Sequence, residues 1–365
     1  MVLSFDMDMV VDEVVKLTAE LIAIPSTKDK PGEQSNCLRL LEKYWGKRPK
    51  KKFMDDGVES VLFGLSPSSP AILFNGHVDV VPASDSQFKA RVSSGKIWGR
   101  GAYDMKAAVA TMFVLLKNLS KRQERLPVGL LVVTDEEIGG SNGSKPYSEV
   151  FSKITKGVII GEPTNLSIEK QAKAPIKLVI RTCGKRAHAA HLWEGVNAIT
   201  KLSHEISKLS RVFKVPSGPR WNATVNFSMI CGGLAGNQVP DHAEVTLDVR
   251  RTPQEKTSAI LRKIRSTLVY DDTKIEIIYD EPSHSILTSS PLLKLLMNSI
   301  KAESGVSQNF ISSNFASDAR HFSSKRIPAL CFGPSGDGMH SDDEFVYVES
   351  LRQYYNILER FVFKL

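Results

Sequence analysis

Continuous apolar runs alternate with amphipathic stretches over the first part of the chain and return near its end. Four such runs have the length of strands: 70–76 (PAILFNG), 127–134 (PVGLLVVT), 156–162 (KGVIIGE) and 327–333 (IPALCFG). A helical pattern runs from Asp104 to residue 122, and a closing amphipathic helix covers 348–363. Strands that are hydrophobic on both faces and separated by helices build mainly parallel sheets. The pattern therefore predicts an α/β domain with a mainly parallel sheet.

The middle of the chain has a different pattern, in which strands alternate between apolar and polar positions. Its order is β-α-β-β-α-β, with segments at 174–182, 195–210, 223–230, 242–250, 252–268 and 274–280. The second helix is expected to carry Pro253 in its first turn. This order is that of the ferredoxin-like unit. Because the α/β pattern resumes afterwards, we expect an inserted domain at 174–283 between the two parts of the first domain, 1–173 and 284–365.

Composition narrows the class of protein. A chain of 365 residues, 42% hydrophobic and 24% charged, is typical of a globular protein with two domains. No run approaches the roughly 18 apolar residues of a membrane span, and the segment MVLSFDMDMVVDEVV is too acidic for a secretory signal. The four cysteines form no CxxC pair, which favours a reducing compartment. The sequence thus predicts a cytoplasmic protein with no membrane partner.

The net charge of +8 raises the question of nucleic-acid binding. The densest basic cluster, GKRPKKKF at 46–53, is not accompanied by a known nucleic-acid-binding motif. Such a run is usually a solvated loop, and the excess charge could equally attract small anionic substrates. The segment GGLAG at 232–236 lacks the spacing of a dinucleotide-binding loop. We therefore expect no nucleic-acid partner.

Acidic and imidazole side chains follow each buried strand of the α/β domain. The four strand ends and the start of the long helix offer His77, Asp104, Glu136 or Glu137, Glu162 and His340. Ligand sites of open α/β sheets lie beyond the carboxyl ends of the strands. We therefore expect these side chains to converge on one crevice, where they would form a metal site.

This set of side chains suits two divalent ions. If Asp104 bridges them at about 3.5–4 Å, the remaining ligands divide into one histidine and one glutamate per ion. Each ion then keeps room for a water, as in catalytic zinc sites. Imidazole and carboxylate ligands favour Zn²⁺, with Co²⁺ or Mn²⁺ as alternatives.

Two local patterns refine this hypothesis. His77 and Asp79 share one face of a strand, so the Asp79 carboxylate could orient the imidazole of a metal ligand; an ordinary surface histidine is the alternative. Glu136 and Glu137 point in opposite directions, so one could bind metal while the other serves as general base. The alternative is that both begin a solvated loop.

Five motifs in this order, GHVDVVP, GRGAYDMK, TDEEIGGSNGS, GEPT and HSDDEF, resemble the dinuclear metallohydrolase family of acetylornithine deacetylase, succinyl-diaminopimelate desuccinylase, aminoacylase and carboxypeptidase G. The resemblance covers nearly the whole chain. It implies a cis peptide after Asp104, the general base Glu136 and the supporting carboxylate Asp79. The ligand sets that it implies are His77, Asp104 and Glu162 for one metal and Asp104, Glu137 and His340 for the other.

The inserted domain resembles the dimerisation domain of that family. GKRAHAAH matches the motif whose histidine enters the partner subunit's active site, which implies this role for His188, with His191 as the alternative. GNQVPD and LDVR imply substrate contacts for Asn237 and Arg250. Arg320, in ASDARHF beside Asp318, is a further candidate for substrate binding. Each has an ordinary alternative, a helix cap for His188 and surface ion pairs for the arginines.

The resemblance implies an amidohydrolase, homodimeric, that removes a succinyl or acetyl group from a small N-acyl amino acid. A metallopeptidase acting on di- or tripeptides would use the same residues with another pocket. A non-catalytic binding protein would be expected to have lost a ligand or Glu136, and none is missing. Neither the acyl group nor the amino acid can be read from the sequence.

Overall fold

The computed structural model describes residues 6–65, 70–124, 126–306 and 309–365. The chain divides into two compact units. The first comprises Met1–Gln171, His284–Ser312 and Ser317–Leu365, and the second comprises Ala172–Ser283 and Ser313–Ala316. The predicted division into an inserted domain at 174–283 and a first domain at 1–173 and 284–365 stays a prediction.

The described residues form nine α-helices and three β-sheets. The helices are α1 (Met7–Ile22), α2 (Pro31–Trp45), α3 (Ala107–Lys121), α4 (Ser144–Phe151), α5 (Ala198–Val212), α6 (Thr257–Arg265), α7 (Pro291–Ser304), α8 (Ala319–Ser324) and α9 (Val348–Val362). None of these helices is long and apolar enough to span a bilayer. Residues 1–5 of the segment that we judged not to be a secretory signal lie outside the described residues.

The strands are β1 (Lys51–Asp55), β2 (Val58–Gly64), β3 (Ile72–His77), β4 (Arg91–Ser93), β5 (Lys96–Trp98), β6 (Val128–Val133), β7 (Gly157–Ile160), β8 (Ile168–Ala172), β9 (Ala174–Cys183), β10 (Thr224–Gly232), β11 (His242–Arg251), β12 (Lys274–Asp280), β13 (His284–Ser285), β14 (Phe310–Ser313), β15 (Ala329–Cys331), β16 (Gly336–Asp337) and β17 (Phe345–Tyr347).

The central sheet of the first unit has the order β1-β2-β6-β3-β7-β15-β8-β13, with β14 beside β8. Its middle strands β6, β3, β7 and β15 are parallel, and every residue of β3 and β6 is buried. The outer pairs β1–β2, β2–β6 and β8–β15 are antiparallel. This confirms the mainly parallel α/β class.

Helices cover both faces of this sheet. Alternate side chains of β3 enter different cores. Phe74 belongs to the core that includes residues of α1, α2, α3, α7 and α9, whereas Leu73 belongs to the core that includes residues of α4 and α8. The alternation follows from the period of two residues along a strand. Burial on both faces explains why these strands appear in the sequence as unbroken apolar runs.

The second unit is an antiparallel sheet of order β10-β11-β9-β12. Along the chain its elements run β9-α5-β10-β11-α6-β12, which confirms the ferredoxin-like order. One face packs on the two helices through residues such as Leu178, Leu202, Leu247 and Ile264. A smaller antiparallel sheet, β16-β17-β5-β4, belongs to the first unit.

Three helix starts differ from the prediction, and the first is that of α5, which begins at Ala198 and not at residue 195. The long helix begins at Ala107, not at Asp104, because Asp104 and Met105 have non-helical backbone angles inside the turn Ala102–Lys106. Pro253 precedes α6 and does not lie in its first turn. The carboxylate of Glu255 accepts hydrogen bonds from the amide and hydroxyl of Thr252, which closes a separate turn before the helix.

Candidate active site

Three candidate ligands lie at the carboxyl ends of neighbouring parallel strands. His77 is the last residue of β3, Glu137 lies in the 3₁₀ turn Glu136–Ile138 that follows β6, and Glu162 follows β7. His340 lies in the loop between β16 and β17, beyond the end of β15. The sheet thus brings these residues to one edge, where α/β proteins bind their ligands.

Asp104 lies between the two imidazoles. Its Oδ1 is 3.1 Å from Nε2 of His77, and its Oδ2 is 3.1 Å from Nε2 of His340. Gly101 (φ 84°) opens the turn that carries Asp104, and the peptide bond between Asp104 and Met105 is cis, as the resemblance implied. Each carboxylate oxygen of this one aspartate therefore faces a different histidine.

The five candidate ligands form two groups of three that share Asp104. The groups are His77, Asp104 and Glu162, and Asp104, Glu137 and His340, and within each group the ligand atoms lie within 4.8 Å of one another. The donor set fits a divalent ion of the zinc type. Oε1 of Glu162 is also buried without a hydrogen-bond partner among the described residues, a costly arrangement unless a cation faces it.

The pKa shifts of Glu162 and His340 reflect the concentration of carboxylates around the candidate ligands. Burial raises the pKa of Glu162 well above its usual range, and the charges of Glu136 and Asp104 add to this effect. Hydrogen bonds to Asp104 and Glu137 raise the pKa of His340 to about 10. Buried carboxylates repel one another, so bound cations would relieve this repulsion.

His77 is oriented from behind by Asp79, but mainly through the main chain. Its Nδ1 is 2.9 Å from the carbonyl oxygen of Asp79, whereas the Asp79 carboxylate is 3.6 Å away. That carboxylate accepts hydrogen bonds from the amides of Glu136 and Glu137 at 3.3 and 2.9 Å. Asp79 thus links the end of β3 to the turn that carries both glutamates.

Glu136 lies beside the candidate ligand Glu137 but belongs to neither group of three. Burial raises its pKa well above the ordinary value, with the charge of Asp318 adding to the effect. The loop that follows is fastened through the carbonyl of Gly139, which accepts a hydrogen bond from Nη2 of Arg320 at 2.8 Å and lies 3.1 Å from Nε2 of His321.

Arg320 and Asp318 are both buried at the start of α8. Besides Gly139, the Arg320 guanidinium donates to the carbonyl of Ser317 at 2.8 Å. These contacts place Arg320 against the main chain of the loop that follows Glu136 and Glu137. Its role in substrate binding stays a prediction.

The remaining candidates belong to the second unit. His188 is exposed; its backbone pairs with Gln238, and its Nδ1 accepts the amide of Ala190 at 3.1 Å. The His191 ring lies 6.0 Å from the His188 ring. The carbonyl of Asn237 accepts the amide of Ala189 at 2.9 Å, so His188 and Asn237 lie on adjoining segments.

Arg250 lies on β11 and forms a two-pronged ion pair with Asp248. Nε and Nη2 of the arginine are 2.8 and 3.0 Å from the two carboxylate oxygens. Residues i and i+2 of a strand share a face, which explains the pairing. The Arg250 side chain remains 36% exposed, so solvent still reaches it.

Sequence reasoning assigned no role to Arg100 and Glu344. Nη1 of Arg100 is 2.6 Å from Oε2 of Glu344, and both side chains are buried. Glu344 lies within the HSDDEF motif, four residues after the candidate ligand His340. That position is the sequence signal that could have identified Glu344 as part of the site. It reveals nothing about the backbone groups that Glu344 contacts.

A model of the Peptidase family M20/M25/M40 matches residues 73–364. The chain belongs to this family. It is therefore an enzyme that hydrolyses amide bonds. The match includes every candidate ligand and the whole of the second unit, as the resemblance to dinuclear hydrolases led us to expect.

Relatives of this M20 hydrolase include proteins named as desuccinylases and as carboxypeptidases. A putative succinyl-diaminopimelate desuccinylase of Mycobacterium tuberculosis is 27% identical over 362 residues, covering 95% of this chain and 97% of the relative. A probable carboxypeptidase of Aspergillus terreus is 31% identical over 221 residues, covering 56% of this chain and 51% of the relative. The matched segment therefore spans about half of the Aspergillus protein.

Solved structures of the family share the fold. A metallo-carboxypeptidase from Sulfolobus solfataricus has a TM-score of 0.76 at 18% identity, with 96% of this chain and 98% of that chain covered. An aminopeptidase from Bacillus cereus has a TM-score of 0.74 at 20% identity, with the same coverage. At these identities the likeness concerns the fold of the M20 hydrolase and not its substrate.

Proposed function

We propose that this enzyme is a metal-dependent amidohydrolase that removes a small acyl group, succinyl or acetyl, from an N-acyl amino acid. The observation that carries the metal dependence is the pair of three-ligand groups sharing Asp104. The acyl-amino-acid substrate is supported by the desuccinylase relatives, which match over most of both chains.

The chemistry follows from the roles that we assign to these residues. Two divalent ions, most favourably Zn²⁺, held by the two groups would polarise the scissile carbonyl and lower the pKa of the attacking water. Glu136 accepts a proton from that water and passes it to the leaving amine. Asp79 holds the turn of Glu136 and Glu137 in place through two amides.

The second unit supplies the remaining groups of the proposal. His188 donates a hydrogen bond to the oxygen of the scissile carbonyl as negative charge develops there. Arg250 binds the α-carboxylate with its guanidinium fork, and Asn237 and Arg320 complete the substrate contacts. We further propose a homodimer in which His188 serves the partner's site, and a cytoplasmic location, which the free cysteines support.

A peptidase acting on di- or tripeptides is the second candidate. It is favoured by the carboxypeptidase relatives, two of which are 31% and 30% identical over 221 and 285 residues. The same metal groups and the same base would serve either substrate, because both reactions hydrolyse an amide beside an amino-acid residue.

Hydrolysis of a substrate panel separates the two candidates. Enzyme loaded with Zn²⁺, Co²⁺ or Mn²⁺ is given N-succinyl amino acids, N-acetyl amino acids and dipeptides at equal concentration. We expect kcat/KM to be highest for one of the N-acyl classes. We also expect chelation of the metal to abolish turnover and readdition of metal to restore it. Turnover confined to dipeptides would establish the peptidase, and turnover that survives complete metal removal would refute the metal dependence.

A further inference from the structure

A buried ion pair lies directly behind two of the candidate ligands. Arg100 is 3% and Glu344 1% exposed, and the two are joined at 2.6 Å. A buried pair of this kind is a weak source of stability, because both charges lose their hydration on folding. Its location behind the ligands indicates a different role.

Glu344 holds the backbone at Asp104. Its Oε1 accepts hydrogen bonds from the amides of Tyr103 and Asp104 at 3.0 and 3.1 Å. Asp104 has φ −119° and ψ 94°, so no regular element supports its main chain. The Glu344 carboxylate therefore takes the place of the hydrogen bonds that a helix or strand would supply.

Arg100 holds the backbone at His340. Its Nη2 donates to the carbonyl of His340 at 3.1 Å while Nη1 binds Glu344. His340 has φ 64°, in the left-handed region that is strained for a non-glycine residue. One planar guanidinium thus connects the two segments that carry Asp104 and His340.

The surrounding backbone holds the pair in register. The amide of Gly99 donates to the carbonyl of Glu344 at 3.0 Å, and Trp98 of β5 pairs with Phe345 of β17. Both charged residues therefore extend from paired strand ends, and their positions do not depend on a flexible loop.

We propose that Arg100 and Glu344 are positioning residues that set the affinity of the site for its metals by holding the main chain of Asp104 and His340. This inference rests on the proposed function, since it requires ions at the two groups. Groups behind the ligands of a metal site commonly change affinity by about 10- to 100-fold when replaced. The two residues differ in their contacts: Glu344 accepts the amide of the shared Asp104 directly, whereas Arg100 contacts the His340 carbonyl directly and reaches Asp104 only through Glu344.

Metal titration of three variants tests this inference. Zn²⁺ affinities of the two sites are measured by competition with a chromophoric chelator, and the visible spectrum of the Co²⁺-loaded protein reports ligand geometry. Glu344→Gln is expected to weaken both sites by about 10- to 100-fold. Arg100→Lys, which keeps the charge but loses the fork, is expected to weaken mainly the site of His340. Glu359→Gln removes a carboxylate from the Arg122–Glu359 pair, a 3.1 Å contact between α9 and the residue that follows α3, and should leave affinities and spectrum unchanged.

The outcomes distinguish the inference from its premise. If Glu344→Gln and Arg100→Lys lower the melting temperature of the metal-free protein but keep wild-type affinities and spectrum, the pair is only structural and the inference is wrong. If Glu344→Gln does not fold, an unchanged His340 site in Arg100→Lys is sufficient to overturn it. Wild-type protein that binds no ion sensitive to His77→Ala or His340→Ala would instead refute the metal site itself.

Discussion

Glu136 and Glu137 are adjacent in the chain but have different surroundings in the candidate site. Glu137 lies with Asp104 and His340, whereas Glu136 stands outside both groups of three. The Asp79 carboxylate holds both of their amides, so the backbone of the turn is shared and the side chains diverge. A substitution at each position should therefore affect a different property.

Glu136→Gln is expected to keep both metals and lose turnover. Glutamine is close in shape to glutamate but cannot accept the proton of the attacking water, and loss of a general base costs about 10²- to 10⁴-fold in kcat. Metal content by elemental analysis and kcat are measured on the same sample. Glu137→Gln is the contrast, since it should lower metal content. A Glu136→Gln enzyme with near-normal kcat and both metals would show that Glu136 is not the base.

Arg250→Ala is expected to raise KM for substrates with a free α-carboxylate by ~10- to 100-fold, as for loss of a hydrogen bond to a charged group. The matching α-amides should be affected much less. Arg251→Ala is the control, because its guanidinium contacts the carbonyl of Glu281 and lies near Asp280. Equal losses for acids and amides would mean that Arg250 serves only its ion pair with Asp248.

At the scale of elements, burial on both faces made the central strands predictable. The runs around β3, β6, β7 and β15 were located within a few residues, because a fully buried strand must be apolar throughout. The same reasoning located the acids and imidazoles that follow them. Short strands such as β16 and β17 cannot be distinguished from loops, since two or three residues show no period.

Other elements were missed for different reasons. α1 buries Val10, Val14, Leu17 and Leu21, and this helical spacing is visible in the sequence. The irregular turn at Asp104 is held by a hydrogen bond from the Asp104 amide to the carboxylate of Glu344, which lies 240 residues further along the chain. No local pattern encodes such a contact, so the candidate metal ligands could be predicted from the sequence, whereas the residues that hold their main chain could not.

His284 connects β13 to α8 and should make the metal-free protein sensitive to acid. Its Nδ1 lies 2.7 Å from Oγ of Ser323, and burial lowers its pKa to about 4 from the usual 6.5. The unfolded chain then binds the proton before the folded chain does. The contribution of the neutral His284 imidazole to the free energy of unfolding is fully present above pH 6.5. It is lost as the pH falls towards 4, which lowers that free energy by up to roughly 3 kcal/mol.

Urea unfolding of the metal-free protein at several pH values measures this effect. His284→Asn keeps an acceptor for Ser323 and should unfold with a smaller pH dependence between 6.5 and 4, whatever its stability at neutral pH. His242→Asn, at an exposed histidine of the second unit, should keep the wild-type dependence. A His284→Asn curve parallel to wild type would show that another group governs the acid sensitivity.

At the scale of the whole molecule, the residues assigned to one reaction are divided between two compact units. All five candidate ligands and Glu136 belong to the first unit, whereas His188, Asn237 and Arg250 belong to the second. β10 is the last strand on one side of its sheet, and its Met229 and Ile230 are 67% and 64% exposed. Exposed apolar residues on an edge strand favour pairing with another chain, which supports the proposed homodimer.

Mixing two inactive variants tests whether His188 acts on the partner's site. Glu136→Gln and His188→Ala proteins should each be nearly inactive alone, the first without a base and the second without the donor to the carbonyl oxygen. Random reassociation into twofold dimers makes about half of them mixed. Each mixed dimer then holds one site with an intact Glu136 and a His188 from the other subunit. Activity should therefore recover to about a quarter of wild type.

A histidine that acted within its own subunit would give a different result, because every site in the mixture would lack either Glu136 or His188. Native mass spectrometry of variants with distinct masses confirms that mixed dimers have formed before activity is compared. The same mixture is also prepared with His191→Ala in place of His188→Ala, which tests the neighbouring histidine. If His188 is the donor, the His191→Ala protein should be active alone. Mixed dimers without recovered activity would refute the exchange of His188 between subunits and leave the metal site of each subunit as proposed.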